Sequence, residues 1–197
     1  MTPRASVELF HLIFLRALAA KLEDKSAVAL KGGCNLRFYF GSLRYSEDID
    51  FDVSVIRKDT LQKKVDGLLH SPLVTAPLKS KGLELVDVSA PKQTDTTQRW
   101  KAGLVGGGVG VPIRTKIEFC RRSTSIAGAA FEATDREVSR AYGLTPIVAT
   151  HYRAHAAIAQ KLEALANRSE PQPRDVFDLS ILFARPDSAD LRLVDGA

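Results

Sequence analysis

The chain has 197 residues, 45% apolar and 26% charged, with a formal net charge of +5 and a pI of about 9.3. Its composition is ordinary for a soluble globular protein with one ample core, and it excludes three classes. The longest apolar run, near Phe10 to Ala20, is broken by Arg16, so no membrane span is expected; the N-terminus lacks the pattern of a signal peptide; and Cys34 and Cys120 alone make no disulfide framework or zinc motif. A cytoplasmic location follows as the expectation, and the basic balance favours a polyanionic partner.

In chain order, Val7 to Leu22 carries apolar residues on nearly every face and reads as a buried helix with Ser6 as its N-cap. The stretch Leu30 to Val53, LKGGCNLRFYFGSLRYSEDIDFDV, reads as strand, glycine turn, short helix, loop and strand. Gly32 and Gly33 permit a sharp turn that exposes amide donors at a helix N-terminus, where the dipole favours an anion. In the second strand Asp48 and Asp50 share one face, with Cα atoms about 6.5 Å apart, while Ile49 and Phe51 face a core. Two carboxylates so placed can hold one or two divalent cations, the geometry that clamps a phosphate chain for in-line displacement.

A helix is expected over Lys58 to Leu69, stopped by Ser71-Pro72 and packing across the sheet in a βαβ-like start. From Gly82 to Phe119 the period becomes two, which predicts three strands, LELVDVS, TQRWKAGLV and VPIRTKIEFC, the last two joined through the glycine run Gly106 to Gly110. That run is not followed by Lys-Ser or Lys-Thr, so it reads as a hairpin rather than a phosphate loop. In the last strand Ile113, Thr115, Ile117 and Phe119 share one face, and Arg114, Lys116 and Glu118 the other. Glu118 joins the two aspartates if the strands are neighbours; otherwise it is a surface acid beside Lys116.

Residues 122–130 read as a loop without period. A short strand at Pro146 to Ala149 is expected to lead to a helix from His151 to Asn167 capped by Thr150, with Ile158, Leu162 and Leu165 as its apolar stripe. Lys161 and Arg168, seven apart, lie beside that stripe on one face. SEPQP ends this helix, and another runs from near Arg174 to Phe183, with Asp175 and Asp178 on one face and Phe177, Ile181 and Leu182 as the buried side. Pro186 closes it, and a weakly ordered tail follows.

The glycine turn, short helix and Asp-x-Asp strand resemble the signature of nucleotidyltransferases related to DNA polymerase β. LKGG and LR-x-S-x-DIDFD are similar to the AbiEii/AbiGii toxin branch, which includes the MenT toxins. Fourteen residues separate Gly33 from Asp48, more than the family's usual interval, so the loop Phe40 to Ser46 is read as lengthened; Gly41-Ser42 lies nearer, but only Gly32-Gly33 directly follows a strand-like run. AQKLEALANR and RDVFDL resemble the branch's Asn-Lys-x-x-Ala-x-x-x-Arg and Asp-x-x-Asp helices, with Gln160 in place of Asn.

The resemblance implies an α/β (α+β) polymerase β-like nucleotidyltransferase. Residues 1–122 would form a core around a small mixed sheet, and residues 123–197 a helical part packed on it across the active-site cleft. Asp48 and Asp50, with Glu118 as a third candidate, would hold Mg²⁺ or Mn²⁺; Gly32, Gly33 and Ser46 would contact the nucleotide, and Lys161 its β- or γ-phosphate. Arg37 and Arg44 flank the entrance; Asp175 would orient Lys161 or act as a base, and Asp178 would pair with Arg174 or Arg168. The implied activity is transfer of NMP from an NTP to the 3′ end of tRNA, which blocks translation, with a separately encoded antitoxin as partner. Two alternatives stand beside it. A small-molecule acceptor, as in aminoglycoside nucleotidyltransferases, calls for an acidic pocket, against Arg37, Arg44, Arg121 and Arg122. A catalytically silent RNA-binding module would dispense with Asp48, Asp50 and Lys161, all of which are present.

Overall fold

In the computed structural model, residues 1–106, 109–121, 126–170 and 172–185 are described. The middle of the glycine run, loop residues 122–125 including Arg122, Pro171 and the tail 186–197 lie outside them.

Helix α1 (Pro3–Lys21) begins earlier than expected, because Thr2 rather than Ser6 caps it: the Thr2 side chain accepts from the amide of Ala5, while Ser6 is buried inside the first turn. A single 3₁₀ turn, Lys25–Ala27, leads into strand β1 (Val28–Lys31), then helix α2 (Gly32–Tyr39) and strand β2 (Asp48–Val53). Helix α3 (Lys58–Leu69) has the expected bounds, but Ser71-Pro72 starts a further helix, α4 (Pro72–Ser80), with proline at the first-turn position where its missing N–H costs nothing. Strands β3 (Leu83–Gln93), β4 (Thr97–Gly106) and β5 (Val109–Cys120) follow as expected.

Among the described residues, seven strands form one mixed sheet in the order β3-β4-β5-β2-β1-β7-β6. The expected βαβ start is corrected: β1 and β2 are antiparallel, and the parallel pairs are β2 with β5 and β1 with β7. Strands β6 (Ala129–Ala133) and β7 (Val148–Tyr152) extend the sheet beyond β1, so a boundary at residue 122 cuts through a continuous hydrogen-bonded layer. Between them lies the unexpected helix α5 (Arg136–Ala141), with Asp135 as N-cap accepting from the amides of Glu137 and Val138.

Thr150 is not a helix cap. It sits inside β7 with its hydroxyl donating to the carbonyl of Lys25, and helix α6 (Ala154–Ala166) starts four residues later. Its stripe is narrower than expected: Ile158 is fully buried, whereas Leu162 is exposed. In α7 (Pro173–Phe183) the buried side is Asp175, Asp178, Leu179 and Leu182, and Phe177 is exposed. The two acids, expected on a face apart from the buried side, therefore face inward.

One face of the sheet packs its core residues Phe51, Trp100, Ile117 and Phe119 against α1, α3 and α4. On the other face, α6 and α7 cover β1 and β7 through Ala29, Leu36, Tyr152, Ile158 and Leu182. Over β3–β5 that second face is open, with Ser89, Lys92, Lys101 and Arg114 all exposed.

A buried polar chain ties α1 to the start of β2. The Thr115 hydroxyl donates to the carbonyl of Glu47 at 2.8 Å, so it accepts from His11 Nε2 at 2.7 Å, and Nε2 carries the proton of a neutral ring. Cys34 Sγ lies 3.4 Å from His11 Nδ1 and donates to the carbonyl of Asp48 at 3.3 Å. Burial pushes the His11 pKa from 6.5 down to about 3. Its stabilising contribution is complete above pH 6.5 and is lost as pH falls toward 3, because the unfolded chain takes up the proton first. Urea unfolding at pH 7 and pH 4 is expected to show a loss of about 3 kcal/mol that His11→Leu lacks; equal losses in both chains would refute this account.

Candidate active site

Strand β2 alternates as its sequence dictates: Ile49, Phe51 and Val53 are buried, and Asp48, Asp50 and Asp52 point to the other face. Phe51 stacks on Phe119 with ring centroids 4.8 Å apart, which fixes the register of β2 against β5 from the core side. That register sets Asp48 opposite Lys116 and Asp50 opposite Glu118.

Asp48 forms an ion pair with Lys116, Oδ2 to Nζ 2.7 Å. Burial, then the charges of Asp48 and Glu118, push the Asp50 pKa up to about 6. Glu118 is engaged by Arg99 at 2.6 Å and is not among the residues lining the cleft. Asp52, not singled out from the sequence, binds Lys31 at 2.6 Å, accepts from the Tyr152 hydroxyl at 2.9 Å and is reached by Gln160 at 3.5 Å. Burial, the largest single influence, lowers the Lys31 pKa, but Asp52 and Cys120 together outweigh it and the net shift is upward. The DIDFD spacing was the available signal for this third acid.

A cleft of about 720 Å³ opens between α1, the turn into α2, the loop before β2, and the helices α6 and α7. Gly32, Gly33, Arg44, Ser46, Asp48, Asp50, Lys161, Arg168, Arg174 and Asp175 all line it, which brings together motifs more than a hundred residues apart. Arg4 of α1 lines it too and carries no sequence signal. Arg37 does not: it turns to α1, donating to Glu8 at 2.8 and 3.1 Å and to the carbonyl of Ser42.

Both glycines are required locally. Gly32 has φ of +67°, and a Cβ there would stand 3.1 Å from Asp50 Oδ2; a Cβ on Gly33 would meet Ser46 Oγ at 2.7 Å. Ser46 in turn donates to the carbonyl of Asp48 at 2.8 Å, locking the loop onto β2. Gly32→Ala should lower stability by about 1 to 2 kcal/mol, from the left-handed backbone and the Asp50 contact, read as a drop in thermal midpoint. A midpoint equal to the parent chain's would contradict the strained geometry.

Across the cleft, Lys161 binds Asp178 at 2.5 Å and Asp175 at 3.6 Å. Arg44 also grips Asp178, through Nε at 3.1 Å and Nη2 at 2.8 Å, and Arg168 pairs with Asp175. The partners expected for Asp178, Arg174 or Arg168, are thus replaced by Arg44 and Lys161.

Residues 13–196 match the family model described as the nucleotidyl transferase AbiEii toxin of type IV toxin-antitoxin systems. The chain belongs to the AbiEii nucleotidyltransferase toxin family. No curated protein matches it. Among solved structures, JHP933 from Helicobacter pylori superposes with a TM-score of 0.66 at 19% identity, covering 95% of this chain and 68% of its own. A nucleotidyltransferase described as putative, also from H. pylori, gives 0.61 at 22% identity, with 90% and 67% covered. MenT4, a nucleotidyltransferase toxin from Mycobacterium tuberculosis H37Rv, gives 0.67 at 21%, with 92% and 58% covered, so this AbiEii chain spans less than two thirds of MenT4. At these identities the likeness is one of fold.

The donor set suits a hard divalent cation. Among the described residues no group of three or more His, Cys, Asp or Glu side chains is arranged to hold a metal, but Mg²⁺ is commonly bound by one or two carboxylates together with substrate phosphates. Asp48 and Asp50 meet that requirement, and Asp50, its pKa raised first by burial and then by the charges of Asp48 and Glu118, is a carboxylate whose ionised form a cation would favour.

Proposed function

We propose that this AbiEii chain transfers a nucleoside monophosphate from an NTP to the 3′-terminal hydroxyl of tRNA, with Mg²⁺ or Mn²⁺ held by Asp48 and Asp50, and that it thereby blocks translation. The observation that carries this reading is the opening of Asp48, Asp50, the Gly32-Gly33 turn and Lys161 onto one cleft. The cation supplies charge that stabilises the α-phosphorus and the departing pyrophosphate in the transition state. The acceptor oxygen bonds to the α-phosphorus, the bond to the β-phosphate bridge breaks, pyrophosphate leaves, and the hydroxyl proton is released to water.

The chain's own residues bind and orient. The α2 N-terminus and its two glycines let phosphate oxygens approach backbone amides, with Ser46 beside them. Lys161, on a flexible stem, turns from Asp178 toward the β- or γ-phosphate, while Asp178 keeps Arg44. Asp175, held by Arg168 and Lys161, acts as the orienting acid. Arg174 adds positive charge at the rim, and Arg37 serves the α1 to α2 contact instead of the nucleotide. Glu118, bound to Arg99, tunes the charge around Asp50 without entering the cleft.

Arg4, Arg44, Arg114, Arg168 and Arg174 along the cleft disfavour a cationic antibiotic as acceptor and suit a polyanion. No helix among the described residues is long and apolar enough to cross a membrane, and a tRNA substrate places the reaction in the cytoplasm. A separately encoded antitoxin is the partner that membership of a toxin-antitoxin family supports. Incubation with Mg²⁺, each labelled NTP in turn and total tRNA tests the reading. Label on tRNA is expected with at least one NTP; a folded protein that labels no tRNA with any of the four would overturn it.

A further inference from the structure

The open half of the sheet carries a pattern outside the cleft. From the aspartates of β2, two rungs of directly paired residues run outward across the strands. One reads Asp48, Lys116, Lys101, Ser89, and the other Asp50, Glu118, Arg99, Lys92. Directly paired residues stand on the same face of a sheet, and a register shift between Ser89 and Lys92 brings both to it despite their odd spacing. Arg114, two residues before Lys116 on β5, continues the same face.

Charge on this face is not balanced. Over β3–β5 the cations Arg99, Lys101, Arg114, Lys116 and Lys92 outnumber the acids Glu84, Asp87 and Glu118; Asp48 takes up Lys116 at 2.7 Å, Glu118 takes up Arg99 at 2.6 Å, and Asp87 takes up Arg114 at 2.9 Å. Lys92 and Lys101 are exposed, and among the described residues no ion pair engages either. With strands about 4.8 Å apart, Lys101 lies roughly 10 Å and Lys92 roughly 14 Å from β2, so positive charge extends away from the aspartates over three strands.

The position of β2 within the fold divides the two substrates. On the β1 side stand the glycine turn, α2 and Lys161, which the proposed reading gives to the nucleotide triphosphate. Among the described residues the β5 side has no helix above it. We propose that the open face of β3–β5 is the surface on which the acceptor RNA's single-stranded 3′ segment lies, with Lys92 and Lys101 contacting its phosphates and the terminal hydroxyl entering the cleft beside Asp48. This rests on the RNA-acceptor reading above. Contacts of this kind position a strand without reading its bases, so the binding is salt-sensitive and tolerant of sequence.

The test compares Lys92→Glu/Lys101→Glu with Lys63→Glu/Lys79→Glu, which makes the same charge change at exposed positions on α3 and α4. Fluorescent total tRNA is titrated over a range of salt, and transfer is followed in parallel. The sheet variant is expected to bind tRNA about tenfold more weakly or worse, to lower the log K against log salt slope by about one per lysine, and to raise KM for tRNA with KM for NTP unchanged. Lys101→Ala alone provides a milder version should the double variant melt early. Binding by the sheet variant equal to that of the control overturns the proposed surface, even where the parent chain labels tRNA. Failure of the parent chain to bind tRNA overturns it as well. Lysine-dependent binding with no nucleotide transfer supports the surface and instead overturns the transfer reading.

Discussion

Asp48→Ala is expected to lower nucleotide transfer by about 10³-fold or more while the chain stays folded. The carboxylate lies on the polar face of β2, and its only ion pair among the described residues is with Lys116. Those two side chains are 30% and 41% exposed, so Lys116 is freed into water and the stability change stays within about 1 kcal/mol. Activity and stability therefore separate at this position. Labelled transfer and a thermal melt on the same preparation check it: a folded variant that retains transfer would remove Asp48 from the reaction, and an unfolded one would show that the Asp48–Lys116 pair holds the fold.

Asp178→Ala is expected to do the reverse, costing about 3 to 5 kcal/mol of stability. Asp178 is completely buried and is shared by Arg44 and Lys161, whose side chains are 29% and 18% exposed. Removing it strips Arg44 of its buried counter-ion, leaves Lys161 only the more distant Asp175 at 3.6 Å, and releases α7 from the loop that precedes β2. Lys161→Met leaves Asp178 gripped by Arg44, so that variant should unfold near the parent's urea midpoint yet lose about 10²-fold in transfer. Equal midpoints for Asp178→Ala and the parent chain would contradict the cluster's structural role; full activity in Lys161→Met would contradict the phosphate role.

Much of this organisation is short-ranged and therefore legible in the chain itself. DIDFDV alternates with period two, and the structure shows the same alternation in burial. The glycine pair that opens α2 and the bounds of α3 follow from backbone freedom and helix periodicity. Other elements were hidden because their local signal was weak or misleading. Strand β6, AAFEA, has little β propensity and exists by pairing with β7. Thr150 looks like a cap for the helix that follows, yet pairing of β7 on both sides keeps it extended. The TDREV stretch did carry a capping signal for α5 in Asp135.

The sequence by itself determined the resemblance to the AbiEii family and, through it, the α/β class, because the motifs that carry it are residue types at fixed spacings; of the residues it singled out, Gly32, Gly33, Arg44, Ser46, Asp48, Asp50, Lys161, Arg168, Arg174 and Asp175 line the cleft. Only the tertiary structure decided which strands are neighbours, and that choice set the roles. It put Glu118 opposite Asp50 but under Arg99, and sent Arg37 to Glu8 while Arg44 reached Asp178. It also aligned Lys101 and Lys92 in rungs leading from the aspartates. Local periodicity fixes the face a side chain takes, whereas its partner is set by packing among segments distant in the chain, through the burial of Phe51 against Phe119 and of α7 against the sheet.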